Sequence, residues 1–286
     1  MIIVKLKGGL GNQMFQYAVG LSVATRQGDE LKLDTTGYDD PRYVNADTPR
    51  QYRLYPFYIS GSIATTDEVK KYKYPFGILS KAIRFLNFRI LKRHNVDYEP
   101  SFSKKSHNYI EGYFQSEKNF MAVRDKVLKE FIIKKESEVF LTEKNKIDKT
   151  NSVSVHIRRG DYASDPKTKN AHQVCSREYY DRAMILARSK IGNPTFYFFS
   201  DDIDWAKKEF GESPDFKYVS NPKLEDYEEL LLMSSCSHHI IANSSFSWWG
   251  AYLNQNQNKI VIAPKKWVNK EIDPHTNVIP EGWIRI

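Results

Sequence analysis

Ser152-Val153-Ser154-Val155-His156-Ile157-Arg158-Arg159-Gly160-Asp161-Tyr162 alternates toward valine and isoleucine and then stops in two arginines, a glycine and an aspartate. Read physically, a buried strand delivers permanently charged, bidentate donors to the carboxyl edge of a sheet. That edge is where open α/β sheets bind ligands. An anionic ligand, most simply a phosphate, suits such a fork. The alternative is a solvated turn in which Asp161 pairs with Arg158 or Arg159 for little net stability.

The surrounding pattern favours the sheet. Strand-like segments alternate with helical ones, which is the α/β signature. Ile2 to Leu6 is a β-branched run that stops at Gly8-Gly9-Leu10-Gly11-Asn12-Gln13. Met14, Phe15, Ala18, Val19, Leu21 and Val23 then recur at helical spacing. A second strand is expected at Leu31 to Asp34. A loop-rich, tyrosine-bearing stretch follows to about residue 75, then a basic apolar helix at Phe76 to Lys92. That helix suits a solvated face over a packed one best, with a membrane surface or an acidic acceptor as the alternative for its lysines and arginines. Tyr109 to Phe114 reads as a strand and Glu117 to Phe131 as a helix.

Lys134 to Thr150 is polar and charge-rich, as a junction between domains would be. The boundary is placed near 148, giving domains 1–148 and 149–286. In the second half the pattern predicts strands at 152–157, 195–199, 216–219, 239–242 and 259–263. Helices are expected at about 176–190, with Ser176 as N-cap, and at 203–210, 224–234 and 246–253. Each crossover is a helix, so the sheet should be parallel and Rossmann-like.

Three strand ends then carry polar residues to one rim: His156 to Asp161, Ser200-Asp201-Asp202, and Asn243-Ser244-Ser245. Ser244-Ser245-Phe246 opens a helix whose first-turn N–H groups form a phosphate seat, or Ser244 is an ordinary cap. Gly8 to Gln13 is GGLGNQ rather than GxGxxG, and GxxxxGK[ST] does not occur, so neither a dinucleotide fingerprint nor a P-loop is present. Asn12 and Gln13 nevertheless present amides at a helix start. Asp202-Ile203-Asp204 has the spacing of a metal-binding carboxylate pair, though capping of the following helix explains it equally well. Trp248 and Trp249 read as core or as sugar-stacking platforms, and His238 and His239 as structural or donor-proximal.

Composition sets limits. The 286 residues, 41% hydrophobic, suit two domains of ~150 residues each. No apolar run reaches the length of a membrane span and no signal-peptide order opens the chain, so a cytoplasmic protein is expected. Cys175 and Cys236 lack metal-ligand spacing and read as buried free thiols. The net charge of +8 favours acidic partners. Nucleic acid is not among the partners expected, because RNP, KH and helix-turn-helix signatures are absent.

GGLGNQMFQYA, VHIRRGDY, FYFFSDD and LMSSCSHHIIANSSFSWWGAYL, in that order from Gly8 to Leu253, resemble the motif set of the bacterial α-1,2-fucosyltransferases, a family shared with the human blood-group H enzymes. The resemblance implies a GT-B-like fold of two Rossmann-like α/β domains facing a cleft. The N-terminal domain would stand on the acceptor side, with Gly112 to Ser116 resembling an acceptor-side segment. The C-terminal domain would bind the GDP-sugar. It implies a metal-independent, inverting transferase with no cofactor, moving fucose from GDP-β-L-fucose to a galactose 2-hydroxyl on a glycan acceptor.

By position, His156 and Arg158 would contact the donor, with Arg158 on the β-phosphate. Gly11 and Asn12 would approach from the other domain, while Asn243, Ser244, Ser245 and Phe246 would line the nucleotide site beside Ser200. A carboxylate that reads the guanine edge is expected at Glu229 or Asp201. Arg158 is expected to stabilise the leaving group, and Asp161 to act as base or to hold the arginines. Among the alternatives is a metal-dependent transferase using Asp202 and Asp204 on another nucleotide sugar.

Overall fold

The computed structural model describes residues 1–39, 50–86, 108–159, 175–268 and 277–286. They form two compact units, Met1–Lys134 and Lys135–Ile286, each with its own parallel sheet.

In the first unit, β1 (Ile2–Lys5) is a buried β-branched strand that ends before Gly8, whose φ of 78° is open to glycine at little cost. Helix α1 (Leu10–Gln27) starts at Gly9 and closes on Gly28, in the left-handed region, whose N–H returns to the Ala24 and Thr25 carbonyls. β2 (Leu31–Asp34), β3 (Ser62–Ile63), α2 (Thr66–Lys73), α3 (Ile78–Phe85), β4 (Tyr109–Ile110) and α4 (Arg124–Glu130) follow. The strand order is β3-β2-β1-β4. Helix α1 lies close on this sheet because Gly20 has no side chain. A Cβ there would stand 2.8 Å from Leu31 Cδ1 and 3.0 Å from a Val4 methyl. Gly20→Val should therefore cost ~1–3 kcal/mol by overpacking, read as a lower urea midpoint with an unchanged slope.

Two expectations change here. The stretch before residue 75 contains α2, started by a capping box in which the Thr65 hydroxyl accepts from Glu68 N–H and the Glu68 carboxylate accepts from Thr65 N–H. The helix expected over Glu117 to Phe131 is interrupted. Phe120 and Val123 leave the helical region at φ −136° and −122°, so two 3₁₀ turns precede α4. Helix α3 supplies the first part of the basic apolar helix, and the remainder lies outside the described residues.

The second unit begins earlier than 148. Helix α5 (Glu138–Ile147), capped by Ser137, buries Phe140 and Ile147, and Ser137 N–H donates to the Glu228 carboxylate at 3.0 Å. Its charges cover the solvent face of a packed helix, which is why the stretch resembled a linker. There follow β5 (Ser152–Ile157), α6 (Arg177–Ile191), β6 (Thr195–Ser200), α7 (Ile203–Phe210), β7 (Phe216–Tyr218), α8 (Asp226–Ser235), β8 (His238–Ile240), α9 (Ser245–Leu253), β9 (Val261–Ala263) and β10 (Ile284–Arg285). Ser176 caps α6 as expected.

Every strand pairing in this sheet is parallel, in the order β10-β9-β8-β5-β6-β7. That is the doubly wound order, and it reverses between β5 and β8. The reversal splays the following loops apart and opens a crevice at the carboxyl ends. β5 is buried along its whole length, with Val153, Val155 and Ile157 in the core against Tyr179, Tyr180 and Phe198. Among the described residues no helix is long and apolar enough to cross a membrane.

Candidate functional site

The switch point carries the polar residues. Arg158 and Arg159 leave the carboxyl end of β5, Ser200 and Asp201 that of β6, and Asn243 to Phe246 follow β8 into α9. Parallel pairing alone brings these sequence-distant motifs to one rim.

Asp201 organises it. Its Oδ2 accepts from Arg158 Nη1 at 2.5 Å and its Oδ1 from Arg159 N–H at 2.9 Å, so one carboxylate fixes both the guanidinium and the turn. Arg159 turns the other way. Its guanidinium lies 3.9 Å from the Trp205 ring centroid and pairs with Asp202 at 3.3 Å, which makes it a buttress of α7. Asp161 lies outside the described residues; among those described, Asp201 holds Arg158.

His156 is buried at the end of β5, with its ring 5.6 Å from that of Phe246. Burial is the main cause that lowers its pKa to about 4, so it is neutral at pH 7, and the nearby Arg158 acts in the same direction against Asp201. Its Nδ1 has no hydrogen-bond partner among the described residues. A buried ring nitrogen without a partner is an unmet contact, of the kind a water or a ligand completes.

Ser244 caps α9, its hydroxyl accepting from Phe246 N–H at 3.3 Å. The cap therefore coexists with the anion-seat geometry of the first turn. Asn243 is tied into the scaffold. Its amide donates to the Trp267 carbonyl at 3.0 Å, and its Oδ1 accepts from the Cys175 thiol at 3.6 Å. Ser200 likewise holds its own turn, donating its N–H to Ser220 Oγ and accepting from Asp202 N–H with its hydroxyl, both at 3.0 Å.

The adjacent acids Glu228 and Glu229 have opposite duties. Glu228 completes a capping box with Glu225 and receives Ser137 N–H. Glu229 lies near Ser220 and Asn221, with Asp226 and Asp201 also close enough to act on its charge. Burial foremost, with those two negative neighbours, raises its pKa to about 7.

Other candidates resolve into structure. Asp202 caps α7 through Trp205 N–H at 3.2 Å, and no group of three His, Cys, Asp or Glu is gathered among the described residues. His239 sits in a buried network. Its Nε2 accepts from the Asn254 amide and its Nδ1 donates to Ser154 Oγ, both at 2.8 Å, while desolvation keeps it neutral. Trp248 and Trp249 are wholly buried. Cys236 is a buried free thiol, and Cys175 is free and only half-buried.

Gly11 and Asn12 stand in the first unit, at the rim of its own sheet. Asn12 Oδ1 accepts from the Gln115 amide at 2.7 Å, which joins the glycine motif to the Gly112–Ser116 segment. Gln13 is buried and consumed by the Gly8 and Gln51 carbonyls and Arg53 N–H. Sequence reasoning missed Ser220, the link between Ser200 and Glu229. Nothing in its local pattern distinguishes it from any serine after a strand.

The chain is 33% identical over its whole length, and over 99% of that protein, to the alpha-1,2-colitosyltransferase of Escherichia coli. It is 32% identical to the O-antigen biosynthesis glycosyltransferase WbnK of the same organism, over 92% of this chain and 93% of that one. Its fold is similar to that of fucosyltransferase NodZ from Bradyrhizobium, with a TM-score of 0.53 at 14% identity, covering 87% of this chain and 92% of that chain. Two α/β units, each on a parallel sheet, are the GT-B-like architecture that the motifs imply. The family model for glycosyl transferase family 11 matches residues 1–286, and the chain belongs to that family of glycosyltransferases.

Proposed function

We propose that this glycosyltransferase moves fucose from GDP-β-L-fucose to the 2-hydroxyl of a galactose-containing glycan, with inversion and without a metal ion. The observation that carries the reading is the Asp201-anchored Arg158 guanidinium at the switch point, beside the N-terminus of α9 and the unmet Nδ1 of His156. Loss of a diphosphate leaves an oxocarbenium-like sugar, and negative charge grows on the β-phosphate. A guanidinium held in place beforehand stabilises that charge without reorganising. Neutral His156 bonds the donor through its open nitrogen. Further support comes from the more distant relatives, such as the galactoside 2-alpha-L-fucosyltransferase Sec1 of mouse, 25% identical over the whole of this chain.

Glu229 is proposed to read guanine, whose N1–H and N2–H₂ form a paired donor edge that a carboxylate matches. Asp201 is occupied by the arginines. Only the ionised form of Glu229 accepts both bonds, and its pKa of about 7 puts that form at risk just below neutrality. The KM for the GDP-sugar should therefore rise by about tenfold per pH unit once pH falls below that value, and bound guanine should pull the transition lower. In Glu229→Gln the KM should be high at pH 8 and flat with pH. A glutamine variant with the parental KM and profile would remove Glu229 from the guanine site.

A second reading is favoured by the colitosyltransferase relative: the same site acting on a colitosyl donor, which carries one ring hydroxyl fewer than fucosyl. A site that hydrogen-bonds the extra hydroxyl rejects the deoxy sugar strongly, whereas a site shaped for the deoxy sugar discriminates weakly. Purified protein is incubated with GDP-fucose or GDP-colitose and a panel of galactosides, with EDTA present, and the product linkage is located by NMR. Fucose on O2 with EDTA present is the expected result. Faster transfer of colitose replaces the donor, and no transfer to any galactoside, or a different linkage, rejects the proposal.

A further inference from the structure

We propose that α3 is an interfacial helix that docks this protein on an anionic phospholipid bilayer. At about 100° per residue, Ile78, Leu79, Ala82, Ile83, Phe85 and Leu86 fall within one continuous arc, with Ser80 and Lys81 outside it. A helix packed on a globular unit turns such an arc inward. Here Ser80 is buried, 7% exposed, and its hydroxyl accepts from Phe76 N–H at 3.0 Å. The apolar arc faces outward, with Ile78 85% and Phe76 74% exposed and Leu79, Ile83, Phe85 and Leu86 each about half exposed or more.

Large apolar side chains exposed singly are ordinary, but six within one short segment mark a surface that binds something. Among the described residues no helix is long and apolar enough to span a bilayer, so α3 would lie in the plane of the interface.

Charge identifies the occupant. Residues 74 to 86 contain no Asp or Glu. Lys81 flanks the apolar arc, and Lys70, Lys71 and Lys73 end the preceding helix α2. The nearby carboxylates are engaged: Asp67 lies 3.8 Å from Lys70, and Glu68 pairs with Lys32. Lys73 and Lys81 each approach the Tyr74 ring at 5.6 Å, a lysine and aromatic fringe of the kind that sits at headgroup level. A second copy of the chain would bring the same lysines against themselves across a two-fold axis, whereas an anionic headgroup layer meets both the apolar arc and the cations.

The test is sedimentation of the full-length protein with vesicles of phosphatidylcholine alone and of phosphatidylcholine mixed with phosphatidylglycerol. The protein should pellet with the mixed vesicles, and added salt should weaken it. Ile78→Gln/Leu79→Gln/Ile83→Gln should lower the partition coefficient at least about tenfold. Lys71→Glu/Lys81→Glu should lower it by a similar factor on the mixed vesicles only. Circular dichroism should be unchanged in both, since the replaced side chains are exposed. Equal binding to the two vesicle types, binding to neither, or an apolar variant that pellets like the parent overturns the proposal. So does a concentration-dependent dimer, abolished by the apolar variant, in place of vesicle binding.

Discussion

Arg158→Lys should fold like the parent and lose transfer by ~2–4 kcal/mol of barrier, on the order of a hundredfold in kcat. The planar guanidinium offers several N–H groups at once. It can keep its bond to Asp201 Oδ2 while others meet the β-phosphate oxygens. An ammonium is a point donor on a flexible stem. If it follows Asp201 it leaves the phosphate, and if it follows the phosphate it leaves the carboxylate that fixed its position. The loss should fall on kcat more than on KM, because the charge being stabilised grows only as the bond to the sugar breaks. Single-turnover kinetics with saturating donor, beside thermal melting, separate this from a folding defect. Near-parental turnover in the lysine variant would take Arg158 out of the chemistry.

The largest stability effect is expected at Trp248. Its side chain is wholly buried, stacks on Tyr252 at 4.5 Å between centroids, contacts the Trp249 and Trp283 rings, and donates its indole N–H to the Val278 carbonyl at 2.7 Å. Trp248→Ala removes that volume from packing that cannot collapse around it, and it strands the carbonyl. The loss should be ~3–5 kcal/mol for the second unit, a fall of about 10 °C in its calorimetric transition. The aromatic cluster also ties α9, which carries Ser244 and Ser245 at its start, to the chain near Val278. A variant that melts like the parent but no longer binds acceptor would instead make Trp248 a sugar platform.

Much of this was legible in the chain because its local and global signals agree. β5 announced itself by β-branched alternation and a charged stop, and Ser176 and the glycines around α1 marked helix boundaries through their own backbone chemistry. What was misread has a physical cause in each case. Helix α5 hides two buried residues behind a charged solvent face, so composition made it look like a linker. The Thr65 and Glu68 capping box stands in a stretch whose prolines and tyrosines give it the composition of a loop.

Within the site, side-chain roles depended on partners far away in sequence. VHIRRGDY by itself determined that two guanidinium groups stand at a strand's carboxyl end and, with the later βα repeats, that parallel pairing brings them to a rim shared with the Ser200 and Ser244 turns. Only the tertiary structure decided how each arginine is held. Asp201 holds Arg158 at that rim, while Trp205 and Asp202 draw Arg159 onto α7. Adjacent residues beyond a strand project to opposite sides, and which side holds the carboxylate and which the indole is set by β6 and α7, more than forty residues on.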